Sequence, residues 1–311
     1  MTELMRAVIQ NQLGGPEVLH LGEVPRPEPG VGEILVDVRA ASINPADVMN
    51  RRSGVFSGPP PFILGWDVSG VVAAVGPGVT IFEPGDEVFG LLPFPRGGGA
   101  YADAAVGPTR AFVRKPDELS HVEAAALPLA GLTAWQALVE TAAVSAETRV
   151  VITGAAGGVG HLATQIAHAR GAHVIAVAGG RHAAYLRSLG ADELVDYETA
   201  DFAASVADVD VVFDAVGGDY PRRAVPILRP GGTIVTTLPQ ILGDVVPAAA
   251  AAGVRATGLF VESDRMGLSA LVDLVRAGAL RPTIAAVYPL ADAATAHATK
   301  HGPGKVVLSL E

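Results

Sequence analysis

The chain has 311 residues, half of them hydrophobic, enough for one large or two medium domains with real cores and incompatible with a disordered or fibrous protein. Lys+Arg 22 against Asp+Glu 32 gives a net charge of −10, which leaves no basic surface for nucleic-acid phosphates or anionic lipid. There are no cysteines, so disulfides, thiolate nucleophiles, iron–sulfur clusters and thiolate zinc sites are all excluded. The first ten residues, MTELMRAVIQ, lack a basic region followed by an apolar stretch, and no apolar run approaches the ~20 residues of a membrane span. The expectation is a soluble cytoplasmic protein with neither nucleic acid nor membrane as a partner.

The first ~120 residues read as short strands cut by Pro and Gly. Met5–Gln10, Glu33–Ser42, Val68–Val75, Asp86–Leu92 and Tyr101–Val106 have strand length and Val/Ile content, and turn clusters such as Pro25–Gly32 and Pro93–Gly99 separate them. This is the pattern of a small β-barrel or sandwich. From about Val122 strands alternate with helices: Arg149–Thr153 then Gly158–Arg170, His173–Ala178 then Ala183–Leu189, followed by Asp210–Val216, Thr233–Thr237 and Ala256–Val261. Such alternation predicts a parallel, doubly wound α/β sheet. In the first of these helices Val159, Leu162, Ala163 and Ile166 fall on one face, and Gly171 stops it. Asp264 is placed to cap a helix carrying Leu271, Val272, Leu274 and Val275 that ends at Gly278, and Lys305–Leu310 reads as a last strand.

The chemistry concentrates after the first strand of the alternating half, in RVVITGAAGGVG. Gly154, Gly157 and Gly160 permit a tight turn and close backbone approach to a pyrophosphate, whose charge meets the unpaired N–H groups at a helix start. The flanking strand and helix and a second strand at His173–Ala178 complete the context of a dinucleotide fold. An NAD site usually carries a carboxylate about 20 residues past the glycines, after the second strand. This chain instead offers Gly179-Gly180-Arg181-His182 there. A guanidinium at that point pairs with a 2′-phosphate and favours NADPH; the alternative is a solvated residue at a helix start.

Along nearly its whole length the sequence resembles the zinc-free quinone oxidoreductase branch of the medium-chain dehydrogenase/reductase superfamily. The segments that carry the resemblance are GGPEVLHLGEVPRPEPGVGEILVDVRAASINPADV, LGWDVSGVVAAVGPGV, LPLAGLTAWQAL, TGAAGGVGHLATQIAHARGAHVIAVA, VVFDAVGG, LRPGGTIVTT and GKVVLSL. The resemblance implies a Rossmann-type cofactor domain (122–261) inserted into a β-rich GroES-like catalytic domain (1–121 and 262–311), with the active site in the cleft. It implies hydride transfer from NADPH to a quinone or other conjugated carbonyl. The segment Asn44–Gly54 also resembles polyketide-type enoyl reductases, so an enone or acyl-thioester reductase stands as an alternative. A non-catalytic NADPH-binding sensor is a further one.

By that resemblance Asn44 lies beside the nicotinamide ribose or a substrate oxygen, Thr133 lies near the nicotinamide, and Tyr197 contacts the adenosine phosphate. The full cofactor set it implies is Thr133, Gly154, Ala156, Gly157, Gly158, Val159, Gly160, Gly180, Arg181, Tyr197, Val216, Leu238, Phe260 and Val261. Asp47 fits the N-x-x-D pattern of the family and equally suits a cap on the helix that follows. Zinc-dependent relatives place a Cys and a His where this chain has Asn44 and Trp66, so no metal is expected. His297 and His301 read as a solvated helix face. Phe56, Phe62, Trp66, Phe94 and Phe260 are candidate walls of an apolar pocket, each equally suited to core packing. Relatives commonly dimerise through the last strand of the cofactor sheet, and Ala256–Val261 carries no Pro or charge that would protect an edge, so a homodimer is expected.

Overall fold

A computed structural model of the chain describes residues 3–310. They divide into two compact units, one running to Leu132 and resuming over Glu262–Arg276 and from Pro282, the other spanning Thr133–Val261 and Ala277–Arg281.

In the first unit β1 (Leu4–Gln10), β2 (Leu19–Pro25) and β3 (Glu33–Ile43) precede α1 (Pro45–Ser53). There follow β4 (Phe62–Ile63), β5 (Asp67–Val75), β6 (Glu87–Leu91), β7 (Ala104–Pro108), β8 (Phe112–Arg114), α2 (His121–Ala125) and α3 (Pro128–Trp135), whose residues from Thr133 on belong to the second unit. The second unit contains β9 (Arg149–Thr153), α4 (Gly160–Ala169), β10 (His173–Ala178), α5 (Ala183–Ser188), β11 (Glu193–Asp196), α6 (Phe202–Ser205), β12 (Val209–Asp214), α7 (Tyr220–Ala224), β13 (Leu228–Thr236), α8 (Val245–Ala251) and β14 (Arg255–Gly258). The chain then returns to the first unit with α9 (Arg265–Arg276), β15 (Ile284–Pro289), α10 (Ala293–Ala298) and β16 (Lys305–Ser309).

The first unit is the β-rich one. A three-stranded sheet, β2-β1-β4, lies beside a seven-stranded sheet ordered β15-β16-β3-β5-β6-β8, with β7 also on β3. β16 runs antiparallel to β3, pairing Val306 with Ile43 and Ser309 with Ala40, so the far end of the sequence supplies a neighbour of the central strand. β2, β8 and β15 are not foreseen from the sequence. β2 pairs with β1, and beyond the buried Leu19 its residues are half-buried or exposed, so it lacks the continuous apolar character that marks a strand. β7 starts at Ala104 and not Tyr101, because Tyr101 and Ala102 serve β1 instead: Val8 N–H donates to Tyr101 O, and Ala7 bridges Ala102.

The second unit is a six-stranded, all-parallel sheet ordered β11-β10-β9-β12-β13-β14. The strand order reverses between β9 and β12, the topological switch point beside which doubly wound sheets bind ligands, off the carboxyl ends of the strands. Fully buried Val151, Ile175, Val212 and Ile234 form the middle of its core. The stripe Leu162, Ala163, Ile166 and Ala167 of α4 is wholly buried, and Gly171 takes the left-handed conformation (φ 81°) that ends the helix. β14 differs from its expected span: it begins at Arg255, a charged residue, and stops at Gly258.

Residues 122–132 pack with the first unit, eleven residues beyond the boundary expected at 121. The cause is local: α2 sits on β3 and β5, and Leu129 N–H donates to the buried carboxylate of Asp67. Among the described residues no helix is long and apolar enough to cross a membrane.

Candidate active site

The second unit assembles a glycine-lined edge. Gly154 leaves β9 with φ 64°, a conformation that strains any side chain. A Cβ at Gly154 would stand 2.9 Å from Val216 Cγ2, and one at Gly160 only 2.2 Å from Gly154 O. The turn closes through Gly157 N–H on Gly154 O at 2.9 Å. Ala156, Gly158 and Val159 lie in the same turn, and α4 starts at Gly160, two residues later than expected, because the glycine run bends before the helix ladder begins. Bare backbone ahead of a helix start is what a pyrophosphate needs, so these residues fit a dinucleotide.

Asp214, at the end of β12, ties the switch point together and was not singled out in the sequence. It is fully buried and accepts from Thr153 Oγ1 (2.7 Å), Thr236 Oγ1 (2.8 Å) and Gly217 N (3.1 Å). Its carboxylate thereby fixes the ends of β9, β12 and β13. Val216 lies against Gly154, and Leu238 against Gly217. Leu259 N–H donates to Thr236 O, which brings the segment leading to Phe260 and Val261 to the same edge. Thr133, in α3, is buried and is the first residue of the second unit.

At the adenosine end, Gly180 and Arg181 follow β10 and Tyr197 follows β11. No acid follows β10, yet acids arrive from β11. A Cβ at Gly180 would meet Asp196 Oδ2 at 2.4 Å, and Arg181 Nη1 donates to Glu198 Oε1 at 2.6 Å. The hydrogen bond and charge of Glu198 hold the Arg181 guanidinium above its ordinary pKa. The side chain is thus ion-paired and not merely solvated. The carboxylates come from the neighbouring strand and the turn after it, which the motif around Arg181 does not contain.

In the first unit Asn44 and Asp47 form a capping box on α1: Asp47 Oδ2 accepts from Asn44 N at 2.7 Å. Asp47 Oδ1 accepts from Gly65 N at 3.0 Å, so both oxygens face backbone donors. Burial pushes its carboxyl up to about 7. The Asn44 amide is clamped at both ends. Its Nδ2 donates to Asp67 Oδ2 at 2.8 Å, and its Oδ1 accepts from Lys305 Nζ. Lys305 also donates to Ile43 O at 3.0 Å and lies 3.8 Å from Asp67 Oδ2, while Ser42 Oγ donates to Asp67 at 2.5 Å. Burial lowers the Lys305 pKa and the two acids oppose that shift. Lys305 and Asp67 were missed. The available signal was a charged residue in each of the apolar strands beginning at Asp67 and Lys305.

The histidines depart from expectation. His297 is not on a solvated face: Tyr101 Oη lies 3.2 Å from its Nε2 and Arg51 Nη1 lies 2.9 Å from its Nδ1. Burial, and then Arg51, hold its pKa down at about 3. His301 Nε2 bonds Ala296 O at 3.0 Å. Among the described residues no group of three His, Cys, Asp or Glu is placed to hold a metal. With an amide pinned by an ammonium at Asn44 and an indole at Trp66, these residues do not fit a zinc ion.

Phe56, Trp66 and Phe94 meet edge to face, with centroids 5.1–5.9 Å apart. Phe62 does not join them. It lines, with Phe56, Ile9, Val24 and the Arg96–Gly99 turn, a shallow depression of about 630 Å³ that neither Asn44 nor Asp47 borders. Phe260 belongs to the other unit.

A glycine-lined doubly wound sheet inserted in a β-rich unit defines the class of two-domain nicotinamide-dependent dehydrogenases and reductases. Residues 30–117 match the family described as the alcohol dehydrogenase GroES-like domain, and residues 189–308 match that described as zinc-binding dehydrogenase. The chain is 33% identical to the chloroplast envelope quinone oxidoreductase homolog of Arabidopsis thaliana over 98% of each chain. It is also 33% identical to 2-haloacrylate reductase of a Burkholderia species over 94% of each. The solved quinone oxidoreductase of Coxiella burnetii superposes with a TM-score of 0.93 at 36% identity, covering 99% of this chain and 100% of that one. The chain belongs to the quinone oxidoreductase branch of the medium-chain dehydrogenase/reductase superfamily, and it is an NAD(P)H oxidoreductase. The non-catalytic sensor reading falls away accordingly.

Proposed function

We propose that this protein reduces a conjugated carbonyl acceptor, a quinone foremost, with NADPH and without a metal. The observation that carries the reading is the clamped amide of Asn44. Lys305 fixes Oδ1 as the acceptor end, so the amide cannot flip, and the second Nδ2 proton is left to donate to an oxygen on which charge develops. A bound nicotinamide dinucleotide supplies the hydride. The chain supplies the backbone cradle at Gly154–Gly160, a cation for a 2′-phosphate at Arg181 with Tyr197 beside it, and the fixed hydrogen-bond donor at Asn44. Asn44→Ala is expected to lower kcat by ~10–1000-fold, as for removal of one oxyanion donor. An Asn44→Ala enzyme with unchanged kcat overturns this assignment.

NADPH is expected to bind more tightly than NADH, since the Arg181 guanidinium offers a charge-assisted pair to a 2′-phosphate and nothing comparable to a 2′-hydroxyl. Exhaustive chelation is expected to leave turnover unchanged, and loss of turnover restored by zinc refutes the metal-free reading. The similarity to 2-haloacrylate reductase supports the second reading, an enone or enoyl-thioester reductase. Comparing turnover of 1,4-naphthoquinone with that of a crotonyl thioester separates the two. We also propose a homodimer paired through β14, which among the described residues has a partner strand on one side, β13. Sedimentation of a monomer at micromolar concentration refutes it.

A further inference from the structure

We propose that Glu198 is a specificity-determining residue that restrains the preference for NADPH, by holding the guanidinium that a 2′-phosphate must capture. The inference rests on the reading that Arg181 receives that phosphate.

The pair is built from two different strands. Arg181 is reached from the carboxyl end of β10 and Glu198 from that of β11, and the two strands are neighbours in register, with Ala178 opposite Asp196. Arg181 Nη1 and Glu198 Oε1 are 2.6 Å apart. A Cβ on Gly179 would sit 2.9 Å from Glu198 Oε1 and 3.1 Å from Arg181 Nη1, so the ion pair lies directly over the backbone on which the adenosine end of a cofactor would rest. Asp196 adds a second carboxylate against Gly180, and its Oδ1 fixes the turn by accepting from Glu198 N at 3.0 Å.

Two costs follow for a 2′-phosphate and none for a 2′-hydroxyl. The phosphate must break the existing ion pair to obtain the guanidinium, and the displaced carboxylate remains beside a group carrying about −1.5 to −2 charges. NADH demands neither. Both side chains are about half exposed, with side-chain exposures of 61% and 48%, which keeps the penalty to that of a solvent-screened pair. A preference that Arg181 alone would establish is therefore cut by about threefold to fivefold.

The test measures binding by quenching titration with NADPH and NADH and by competition with adenosine 2′,5′-bisphosphate and AMP. The proteins are wild type, Glu198→Gln, Arg181→Gln and the double variant. Glu198→Gln is expected to tighten NADPH and the bisphosphate by about threefold to fivefold, to leave NADH and AMP within about twofold, and to lose this gain in the Arg181→Gln background or in about 0.5 M salt. If Glu198→Gln leaves the NADPH to NADH ratio unchanged while Arg181→Gln lowers it, Glu198 has no such role and the Arg181 reading stands. If Arg181→Gln itself leaves the ratio unchanged, the reading of Arg181 fails and the inference with it. A gain that persists in the double variant overturns the ion pair as the cause.

Discussion

Replacing Lys305 by Met isolates the charge that holds the Asn44 clamp together. Asp67 is fully buried and its oxygens accept from Ser42 Oγ, Asn44 Nδ2 and Leu129 N, all neutral donors. The positive charge facing it is the Lys305 ammonium, 3.8 Å away. At an effective dielectric of about 20 that separation corresponds to ~4 kcal/mol of attraction, and breaking one side of a buried pair typically costs ~3–5 kcal/mol. Met preserves most of the stem volume, so packing contributes little to the difference. We expect Lys305→Met to destabilise the first unit by ~3–4 kcal/mol at neutral pH. Urea unfolding followed by Trp66 fluorescence in a Trp135→Phe background reads that unit, because Trp66 and Trp135 belong to different units. A cycle with Asp67→Asn is expected to show coupling of at least ~2 kcal/mol. A cost below ~1 kcal/mol, or additive single effects, refutes the electrostatic account.

Asp47→Asn is expected to cost ~1–3 kcal/mol, because both carboxylate oxygens accept backbone N–H groups and either amide orientation sets an NH₂ against one of them; chemical denaturation measures it. Gly160→Ala is expected to weaken cofactor binding by about tenfold or more, since its Cβ would lie 2.2 Å from Gly154 O and the turn must open; titration of NADPH against correctly folded variant decides this. The pH dependence of stability combines two opposing groups. Asp47, raised to about 7, takes up a proton on folding, so its contribution falls as pH rises from about 4 to 7. His297, held neutral down to about 3, makes the unfolded chain the stronger proton binder between about 3 and 6.5, so its contribution rises over that range. His297→Gln should then lose stability relative to wild type progressively as pH rises from 5 to 6.5, and a difference that stays flat with pH refutes the assignment.

Period and punctuation make the second unit legible in the sequence. Arg149–Thr153 and His173–Ala178 coincide with β9 and β10, since buried parallel strands are short apolar runs bounded by glycines, and a helix with one apolar face announces its own spacing. The β-rich unit was legible only in its central strands. Edge strands such as β2 alternate without a deep core, and Tyr101 and Ala102, which look like strand, are spent on pairing with β1. At the site, local motifs showed the glycine turn and the Asn44–Asp47 cap. They did not show Lys305, 261 residues from Asn44, or Glu198, 17 residues from Arg181, because neither partner lies in the motif that uses it. Charge pairing across strands is a property of topology, and a linear reading has no access to it.

The placement of β16 beside β3 also dictates an order of assembly. The second unit is nearly contiguous in the chain and can close its sheet once β14 has been synthesised, whereas the central strand of the first unit waits for residues 305–309. Until then Asp47 and Asp67 have no ammonium to face, and the capped amide between them has no fixed orientation. A nascent chain on the ribosome therefore carries a finished parallel-sheet module flanked by an unfinished β-rich one. Residues 305–309 act as the bolt that closes the β-rich unit, and a stop codon at position 305 would leave β3 without this neighbour.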